Sequence, residues 1–359
     1  MKNIHVHLFN LLGEKKPLAL ATIIETKGAT PQVPGASAIF SPEGLLAGTV
    51  GGGLLEYDAQ RKAIQAIKKN SPHLYEFFLD ADISSEEGAI CGGKAKILID
   101  TCPEKHKGTF EKLNQSLLQY KPGVLAAFLN IISEEKISIS RFWIQINEKS
   151  KALLESPVSF FNEEIKNTFS EGKPILLKAK KEIFPGKAKE TLLFLEPIFP
   201  LPQLVIAGAG HIGKAMANLG SLLNFDVTVI DDRSEFANKK NIPDADQIVV
   251  DDIGKAINNF PVSSDTYIVI VTRGHRHDAD ALRQCIASKA AYIGMIGSSR
   301  KIKLMRKNFR EKEWASPRQF DRVHAPIGLD INSKTVEEIA ISIAAQLVLV
   351  RSQLQDKKR

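Results

Sequence analysis

Cysteine is scarce in this chain. Three of its 359 residues are cysteines, and no two of them stand in a C-x-x-C or zinc-ligand spacing. That number excludes a disulfide framework and gives no support for a structural zinc site. Long apolar runs are also missing, since the most hydrophobic late segment, 339–350, contains Ser342 and Gln346 and is too short to cross a bilayer. The first residues carry charge and histidine where a signal peptide would be apolar. We therefore expect a cytoplasmic protein.

A nucleic-acid signature is absent from the sequence as well. The formal net charge is +7, but the lysines are scattered, and no basic stripe is interleaved with aromatic residues. We predict a solvated basic surface, with neither nucleic acid nor a membrane as partner. The 43% hydrophobic and 25% charged residues are typical of a globular protein with buried cores, and the length predicts two domains.

The strongest positive pattern lies at 204–233. An apolar run precedes the G-x-G-x-x-G spacing of Gly208, Gly210 and Gly213, which includes His211, and a second apolar run ends at Asp231. This pattern predicts a strand, a tight turn, a helix N-terminus that cradles a phosphate, and an acid that takes a ribose hydroxyl. Apolar strands then alternate with helices, which predicts a doubly wound parallel sheet. We place its strands at 204–207, 227–230, 247–250, 267–271 and 291–295.

The front of the chain predicts a different architecture. Short apolar runs separated by glycine and proline indicate a mixed α+β domain. We place strands at 18–26, 36–40, 45–50, 73–79, 94–100, 124–132 and 137–146, and helices at 54–69 and 110–120. The proline density of 184–202 marks the boundary. The predicted fold class is α/β, with an N-terminal α+β domain at 1–196 and a C-terminal Rossmann-like domain at 203–359.

Two segments of the front domain are candidates for chemistry. Gly51, Gly52 and Gly53 stand together before a helix, where they provide either a second anion contact or a tight structural turn. Cys91 precedes two glycines. It is either a thiolate that acts as nucleophile or soft metal ligand, or a small buried hydrophobic residue.

The remaining candidates follow the strands of the back domain. Residues 272–280, TRGHRHDAD, come after the strand at 267–271, so we expect a polar rim on a binding cleft and favour it over a zinc site. Asp278 is an acid/base candidate together with His275, and it is also a natural N-cap for a helix at 279–289. The cofactor-binding candidates here are Thr272, Arg273, Gly274, Arg300 and, beside Asp231, Arg233. We assign no metal ligands.

Taken together, these motifs resemble the XdhC/CoxI family, the xanthine dehydrogenase accessory factors. The resemblance rests on GATP at 28–31, GTVGGGLLE at 48–56, CGG at 91–93, GAGHIG at 208–213, TRGH at 272–275, YIGMIGSSR at 292–300 and APIGLDI at 325–331. Residues 103–200 match poorly. The GTVGGG form, with Leu54 where carbon-monoxide-dehydrogenase relatives often have cysteine, resembles the xanthine-dehydrogenase branch more closely. The chain departs from the pattern at Ile90, where relatives often have a second cysteine, and at Asn332 and Val336, where they usually have glycine and proline.

The resemblance implies an accessory protein rather than a metabolic enzyme. Such a protein binds the molybdenum cofactor as cargo, protects it, supports its sulfuration and delivers it to a xanthine dehydrogenase-like apoenzyme. A sulfur-donating desulfurase is then a second partner, and Cys91 is the metal or sulfur contact. The sequence does not decide whether the chain forms a homodimer. The alternative is an NAD(P)-dependent oxidoreductase that uses the Rossmann domain. For that function, His275 and His277 are the only candidates that the sequence offers as proton donor. Whether NAD(P), another nucleotide or the pterin fills the cleft is left open.

Overall fold

The chain divides into two compact units. The computed structural model describes residues 3–14, 16–79, 93–133, 136–146, 158–179 and 188–358. The first unit runs from Asn3 to Pro200 and the second from Leu201 to the C-terminus.

The first unit is built on two antiparallel sheets. Its helices are α1 (Ile4–Leu11), α2 (Gly53–Lys69), α3 (Lys107–Leu118) and α4 (Asn162–Glu171). Its strands are β1 (Ala19–Lys27), β2 (Ser37–Ser41), β3 (Gly44–Gly48), β4 (His73–Phe78), β5 (Lys94–Asp100), β6 (Gly123–Ser133), β7 (Lys136–Gln145), β8 (Ile175–Ala179) and β9 (Glu190–Ile198). The five-stranded sheet has the order β3-β2-β1-β5-β4, and the four-stranded sheet has the order β7-β6-β9-β8.

Alternation along β1 explains how the first sheet is covered on both faces. Ala21 and Ile23 pack with Leu55 and Ala59 of α2, whereas Leu20 points to the other face and joins a cluster that contains residues of α1 and α3. Successive strand residues point to opposite faces, so one apolar strand serves two cores. This arrangement fixes the start of α2, and with it the glycine triplet, at the edge of the sheet.

The segment predicted as a proline-rich boundary contains the division between the two units, after Pro200, but it also contains a central strand that was not predicted. Strand β9 pairs with β6 on one side and β8 on the other. Pro197 lies beyond Leu195, the last residue of β9 that pairs with β8. A proline near a strand end is tolerated in this way. Helices α1 and α4 and strand β8 were also not predicted.

The second unit is a doubly wound parallel sheet, as the sequence predicted. Its strands are β10 (Gln203–Ala207), β11 (Asp226–Asp231), β12 (Gln247–Val250), β13 (Thr266–Ile270) and β14 (Tyr292–Met295). Its helices are α5 (His211–Leu222), α6 (Ile253–Asn259), α7 (His275–Cys285), α8 (Ser299–Glu311), α9 (Pro317–Asp321) and α10 (Val336–Lys358). All strand pairs are parallel, in the order β12-β11-β10-β13-β14. Each predicted strand is confirmed to within one residue at either end.

Helices cover both faces of this sheet. Met216 of α5 and Leu347 of α10 pack against one face, and Leu282 of α7 and Met305 of α8 pack against the other. The strand order reverses between β10 and β13, and open α/β sheets bind ligands outside the carboxyl ends of their strands at such a switch point. Every helix in the described ranges is too short or too polar to span a bilayer.

Candidate functional site

The glycine turn after β10 forms the floor of the site in the second unit. Gly208 has a φ of +115°, and a Cβ there would lie 2.5 Å from the Val271 carbonyl oxygen. A Cβ on Gly213 would lie 1.9 Å from the Gly208 carbonyl oxygen. These two glycines therefore serve the turn and the close packing of α5 on it. A Cβ on Gly210 would meet nothing within 4 Å.

Gly210 is the N-cap residue of α5, and no side chain caps the helix there. The first backbone N–H groups of an uncapped helix need acceptors and carry the positive end of the helix dipole. His211, the first helical residue, is exposed. The open space beside Gly210 and the uncapped N–H groups together make a cradle for an anion.

Asp231 does not have the role that the spacing predicted. Its side chain is 1% exposed, and its Oδ2 accepts hydrogen bonds from the Ala209 N–H at 2.7 Å and from Nη2 of Arg233 at 2.9 Å. Its Oδ1 accepts the N–H of Arg233 at 3.0 Å and Nε of the same residue at 2.9 Å. Four donors fill the acceptor sites of one carboxylate. The carboxylate therefore fastens the glycine turn to β11 and is not free to take a ribose hydroxyl.

The electrostatics of Asp231 agree with this structural role. Burial raises the pKa of its carboxyl, but hydrogen bonds from Arg233 and from the Ala209 N–H outweigh burial and lower the pKa to about 2. The Arg233 side chain is held in place by Asp231 and by a second contact, because its guanidinium lies 4.1 Å from the centre of the Phe236 ring. Nε and Nη2 of Arg233 already donate to Asp231, so only its other guanidinium N–H groups could contact a cofactor.

The more accessible acid at the end of β11 is Asp232. Its Oδ2 lies 2.9 Å from Nη2 of Arg273, which follows β13. Because β11 and β13 flank β10 on opposite sides, this ion pair passes over the carboxyl end of β10. Arg273, predicted as an anion contact, thus bridges the mouth of the site. The pair is partly exposed, and such pairs are worth about 1 kcal/mol or less, so an anionic ligand can displace it.

A buried ion pair lies beside the switch point. The Asp278 side chain is fully buried, and its Oδ1 accepts a hydrogen bond from Oγ1 of Thr272 at 2.6 Å. Its Oδ2 accepts from Nζ of Lys301 in the first turn of α8. The lysine also donates to the Ile296 carbonyl oxygen at 3.3 Å, and a quarter of its side chain is exposed. A cation is therefore held at the carboxyl edge of the sheet with its remaining donor capacity open.

Asp278 is not a helix cap, which corrects the sequence interpretation. Helix α7 begins at His275, with Gly274 at the N-cap, so Asp278 is the fourth helical residue. Gly274 has a φ of +84°, and a Cβ there would meet nothing within 4 Å. Asp278 could act as an acid/base group only after its ion pair with Lys301 is broken. The N-terminus of α7 is, like that of α5, uncapped and open.

The other predicted residues of the second unit lie around these two helix starts. His275 and Arg300 are exposed, and His277 is half-buried. Ser298 caps α8 by accepting the Lys301 N–H at 3.3 Å. Within the described part of the chain, no group of three or more His, Cys, Asp or Glu side chains could hold a metal ion. The uncapped helix starts and the exposed cations of this region offer hydrogen-bond donors to an anion.

The last motif of the second unit is held against α10. Gly328 donates its N–H to Oε1 of Gln346 at 2.9 Å and accepts from Nε2 of the same side chain at 3.1 Å. The Ser342 hydroxyl donates to the Leu329 carbonyl oxygen at 2.6 Å. The two polar residues that interrupt the apolar run of 339–350 thus fasten the loop to the last helix. The loop at 325–331 therefore packs the last helix onto the unit.

Three motifs of the first unit come together around the glycine triplet. A Cβ on Gly51 would lie 3.0 Å from Cγ of Pro31, and a Cβ on Gly93 would lie 2.1 Å from the Ala29 carbonyl oxygen. The GATP loop therefore packs against both other glycine segments. Cys91 itself lies outside the described residues.

The triplet leaves the start of α2 open. Gly52 and Gly53 have φ values of +68° and +53°, and a Cβ on either would meet nothing within 4 Å. Oε2 of Glu56 accepts the Thr49 hydroxyl at 2.5 Å and the Val50 N–H at 3.2 Å, which ties the turn to its helix. The motif is both a structural turn and an exposed glycine surface.

Two family models match this chain and decide its family. One, described as the XdhC Rossmann domain, matches residues 204–347, and the other, described as the XdhC and CoxI family, matches residues 11–77. Together they cover more than half of the chain. The chain belongs to the XdhC and CoxI family. The resemblance seen in the motifs is thereby confirmed.

Individual proteins are similar to this chain over nearly its whole length. A protein named as a probable xanthine dehydrogenase subunit, from Bacillus subtilis, is 25% identical over 99% of both chains. An uncharacterized protein of Escherichia coli, YqeB, is 22% identical over 98% of this chain and 46% of its own length. A crystal structure titled as a xanthine dehydrogenase of Bacillus halodurans shares the fold, with a TM-score of 0.74 at 24% identity and 97% and 96% coverage of the two chains.

Two residues of the site were not found from the sequence. Lys301 follows Arg300 directly, but only the folded chain shows that its ammonium turns inward onto Asp278 while Arg300 is exposed. One signal was available, because Lys301 stands three residues after the cap Ser298, in the first turn of a helix that starts at the sheet edge. Asp232 was passed over because the ribose-binding position was assigned to its neighbour Asp231.

Proposed function

We propose that this protein has an accessory role to xanthine dehydrogenase, in which it binds the molybdenum cofactor as cargo and delivers it to the apoenzyme. The accessory role is supported by family membership and by the end-to-end similarity to a protein named as a xanthine dehydrogenase subunit. The cargo is supported by one observation in the second unit. Two uncapped helix starts with open glycines, at Gly210 and Gly274, flank the switch point where Lys301 presents a cation.

The residues of this site fit an anionic pterin phosphate. Backbone N–H groups at the start of α5 bind a phosphate without side-chain hindrance, because nothing fills the position beside Gly210. Lys301 adds a charge-assisted hydrogen bond, and its contact with Asp278 limits the entropy lost on binding. Arg273 is available once the ligand separates it from Asp232. The unit thus offers backbone and cationic donors suited to a phosphate-bearing ligand.

The front unit supplies the second part of the proposal. The glycine surface at Gly52 and Gly53 is open, and Gly93 is packed against the GATP loop, so the end of the CGG motif is fixed near this surface. A thiolate is a soft ligand and a nucleophile, and Cys91 is therefore the residue proposed to contact the metal or the transferred sulfur. Support of sulfuration, a desulfurase partner, a homodimer and a cytoplasmic location remain predictions.

An NAD(P)-dependent oxidoreductase is the second candidate, favoured by one observation. The turn at Gly208, Gly210 and Gly213 has the close approaches that a dinucleotide-binding turn requires. Against it, Asp231 has its acceptor sites filled by Ala209 and Arg233. A dinucleotide would lack the usual acid for its ribose.

Mass spectrometry of the small molecules released from the protein, purified from a host that makes molybdenum cofactor, tests the proposal. We expect a molybdopterin species and molybdenum in stoichiometric relation to the chain. A released nicotinamide dinucleotide would support the second candidate instead. Thermal unfolding with added NAD or NADP separates the two further, since a ligand at 100 times its dissociation constant adds about 2.7 kcal/mol of stability.

A further inference from the structure

A dense group of positive charges lies on and just after one helix of the second unit. Residues 300–322 contain nine cationic and three acidic side chains, a net charge of +6 where the whole chain carries +7. Six of the nine cations lie on α8, and the other three follow it at Lys312, Arg318 and Arg322.

These charges form a line along α8. Arg300, Lys303, Lys307 and Arg310 recur at helical spacing and are all exposed, and we call them the cationic stripe. Ile302, Met305 and Phe309 occupy the opposite, buried face. At a rise of 1.5 Å per residue the stripe is about 15 Å long. It starts where α8 leaves the carboxyl edge of the sheet, one residue from Lys301 of the candidate site.

Little acid on the protein neutralises the stripe. Asp321 pairs with Arg306 beside the stripe, at 2.6 Å, and Glu311 lies 3.8 Å from Lys307. Among the described residues, Arg300, Lys303 and Arg310 make no ion pair. A row of like charges on one helix repels itself, so an acidic surface that docks there relieves this repulsion.

We infer that the cationic stripe is the docking surface for an acidic patch on the apoenzyme that receives the cofactor. This inference rests on the proposed function. Leu304 lies within the stripe with half of its surface exposed, which gives an apolar contact between charges, as protein interfaces have. A phosphate backbone offers no partner for that leucine, and a single exposed leucine is too small an apolar face to hold a helix on a bilayer.

Docking there would bring the carboxyl edge of the sheet against the partner. Because the stripe begins beside Lys301, a protein bound along α8 lies next to the mouth of the site. Charge complementarity at an interface accelerates encounter and fixes orientation. The stripe would thus hold the apoenzyme in the orientation in which cargo passes directly from one protein to the other.

The test compares K303E/K307E with the matched control K112E/K166E. Lys112 of α3 and Lys166 of α4 are also exposed helical lysines, so both variants lose the same charge. Binding of each full-length protein to cofactor-free xanthine dehydrogenase is measured at 50 and 200 mM salt. Two reversed charges should weaken binding about tenfold at low salt for the stripe variant and less than twofold for the control. The salt dependence should also fall in the stripe variant alone. K303Q/K307Q repeats the test if the reversals disturb folding.

Equal binding of the stripe variant and the wild type would overturn the inference, and so would failure of the wild type to bind the apoenzyme. Stripe-dependent binding to duplex DNA or phosphatidylglycerol vesicles without binding to the apoenzyme would overturn it as well. Molybdopterin content, measured in parallel, separates this from the proposed function. A stripe variant that keeps its cofactor and binds the apoenzyme normally contradicts only the docking surface, whereas wild-type protein without cofactor contradicts the proposed cargo.

Discussion

Replacing Lys301 by methionine should have two effects that a second substitution separates. Methionine keeps most of the side-chain volume but removes the cation that faces Asp278, whose side chain is fully buried. Removing one partner of a fully buried pair costs about 3–5 kcal/mol, because the other charge is stranded. A quarter of the Lys301 side chain is exposed, so water can reach part of the vacated space. We therefore expect a smaller loss, of about 2–3 kcal/mol.

Asp278→Asn should rescue this loss of stability. The amide keeps an acceptor for the Thr272 hydroxyl and carries no charge to strand. The double variant D278N/K301M should lie within about 1–2 kcal/mol of the wild type. Cofactor retention should follow a different pattern, because both K301M and the double variant lack the cation that would contact the ligand.

Urea unfolding and molybdopterin content together check the reasoning. Lys303→Met, on the exposed side of the same helix, is the matched control and should change neither quantity. Rescue of both stability and retention in the double variant would refute a direct role of Lys301 in binding and leave it a structural one. A cost below about 0.5 kcal/mol for K301M would refute the buried pair itself.

The remaining predictions concern the turn and the loop. Gly213→Ala should lower the free energy of unfolding by at least about 2 kcal/mol, because its Cβ would lie 1.9 Å from the Gly208 carbonyl oxygen. Gly210→Ala has open space around its Cβ and should lower it by under about 1 kcal/mol. Urea titration measures both. Asp231→Asn should destabilise the protein at pH 7. Because the folded pKa of Asp231 is depressed to about 2, that difference should persist above pH 4 and shrink as the pH falls towards 2. Gln346→Leu removes the hydrogen-bond partner of the Tyr292 hydroxyl and of the N–H and carbonyl oxygen of Gly328. It should lower the free energy of unfolding by about 2 kcal/mol and speed hydrogen exchange of the loop at Gly328. Unchanged exchange there would contradict the fastening of the loop.

The periodic parts of the fold could be predicted, and the physical reason is local. The parallel strands were placed to within one residue because buried strands form continuous apolar runs between helices. The antiparallel strand β9 was missed because Pro197 and its neighbours give a boundary signal that the pairing with β6 overrides. Pairing with a strand that is distant in the chain makes this segment a strand, and the local sequence does not show that pairing.

The candidate site was predictable in position but not in the roles of its charged residues. The glycine spacing located the turn, and the strand ends located the edge of the sheet. Asp278 was misjudged because its partner Lys301 lies 23 residues away in the chain. Asp231 was misjudged because the spacing does not show that Arg233, two residues on, and the Ala209 N–H fill its acceptor sites. The cationic stripe was missed because the basic residues were examined for interleaved aromatic residues and not for their positions around one helix.

The measurement that most directly tests cofactor binding compares wild-type protein with Gly210→Asp. Gly210 has a φ of −73° and open space beside it, so aspartate fits, caps the N–H groups of α5 and places a negative charge where the phosphate would bind. The free energy of unfolding should stay within about 1 kcal/mol of the wild type. Gly108→Asp, in the first turn of α3 and equally open, is the control.

Molybdopterin and molybdenum are then quantified in all three proteins, purified from the same cofactor-producing host. The account predicts bound cofactor in the wild type and in Gly108→Asp, and at least a tenfold loss in Gly210→Asp. Equal cofactor in Gly210→Asp, or none in the wild type, would contradict it.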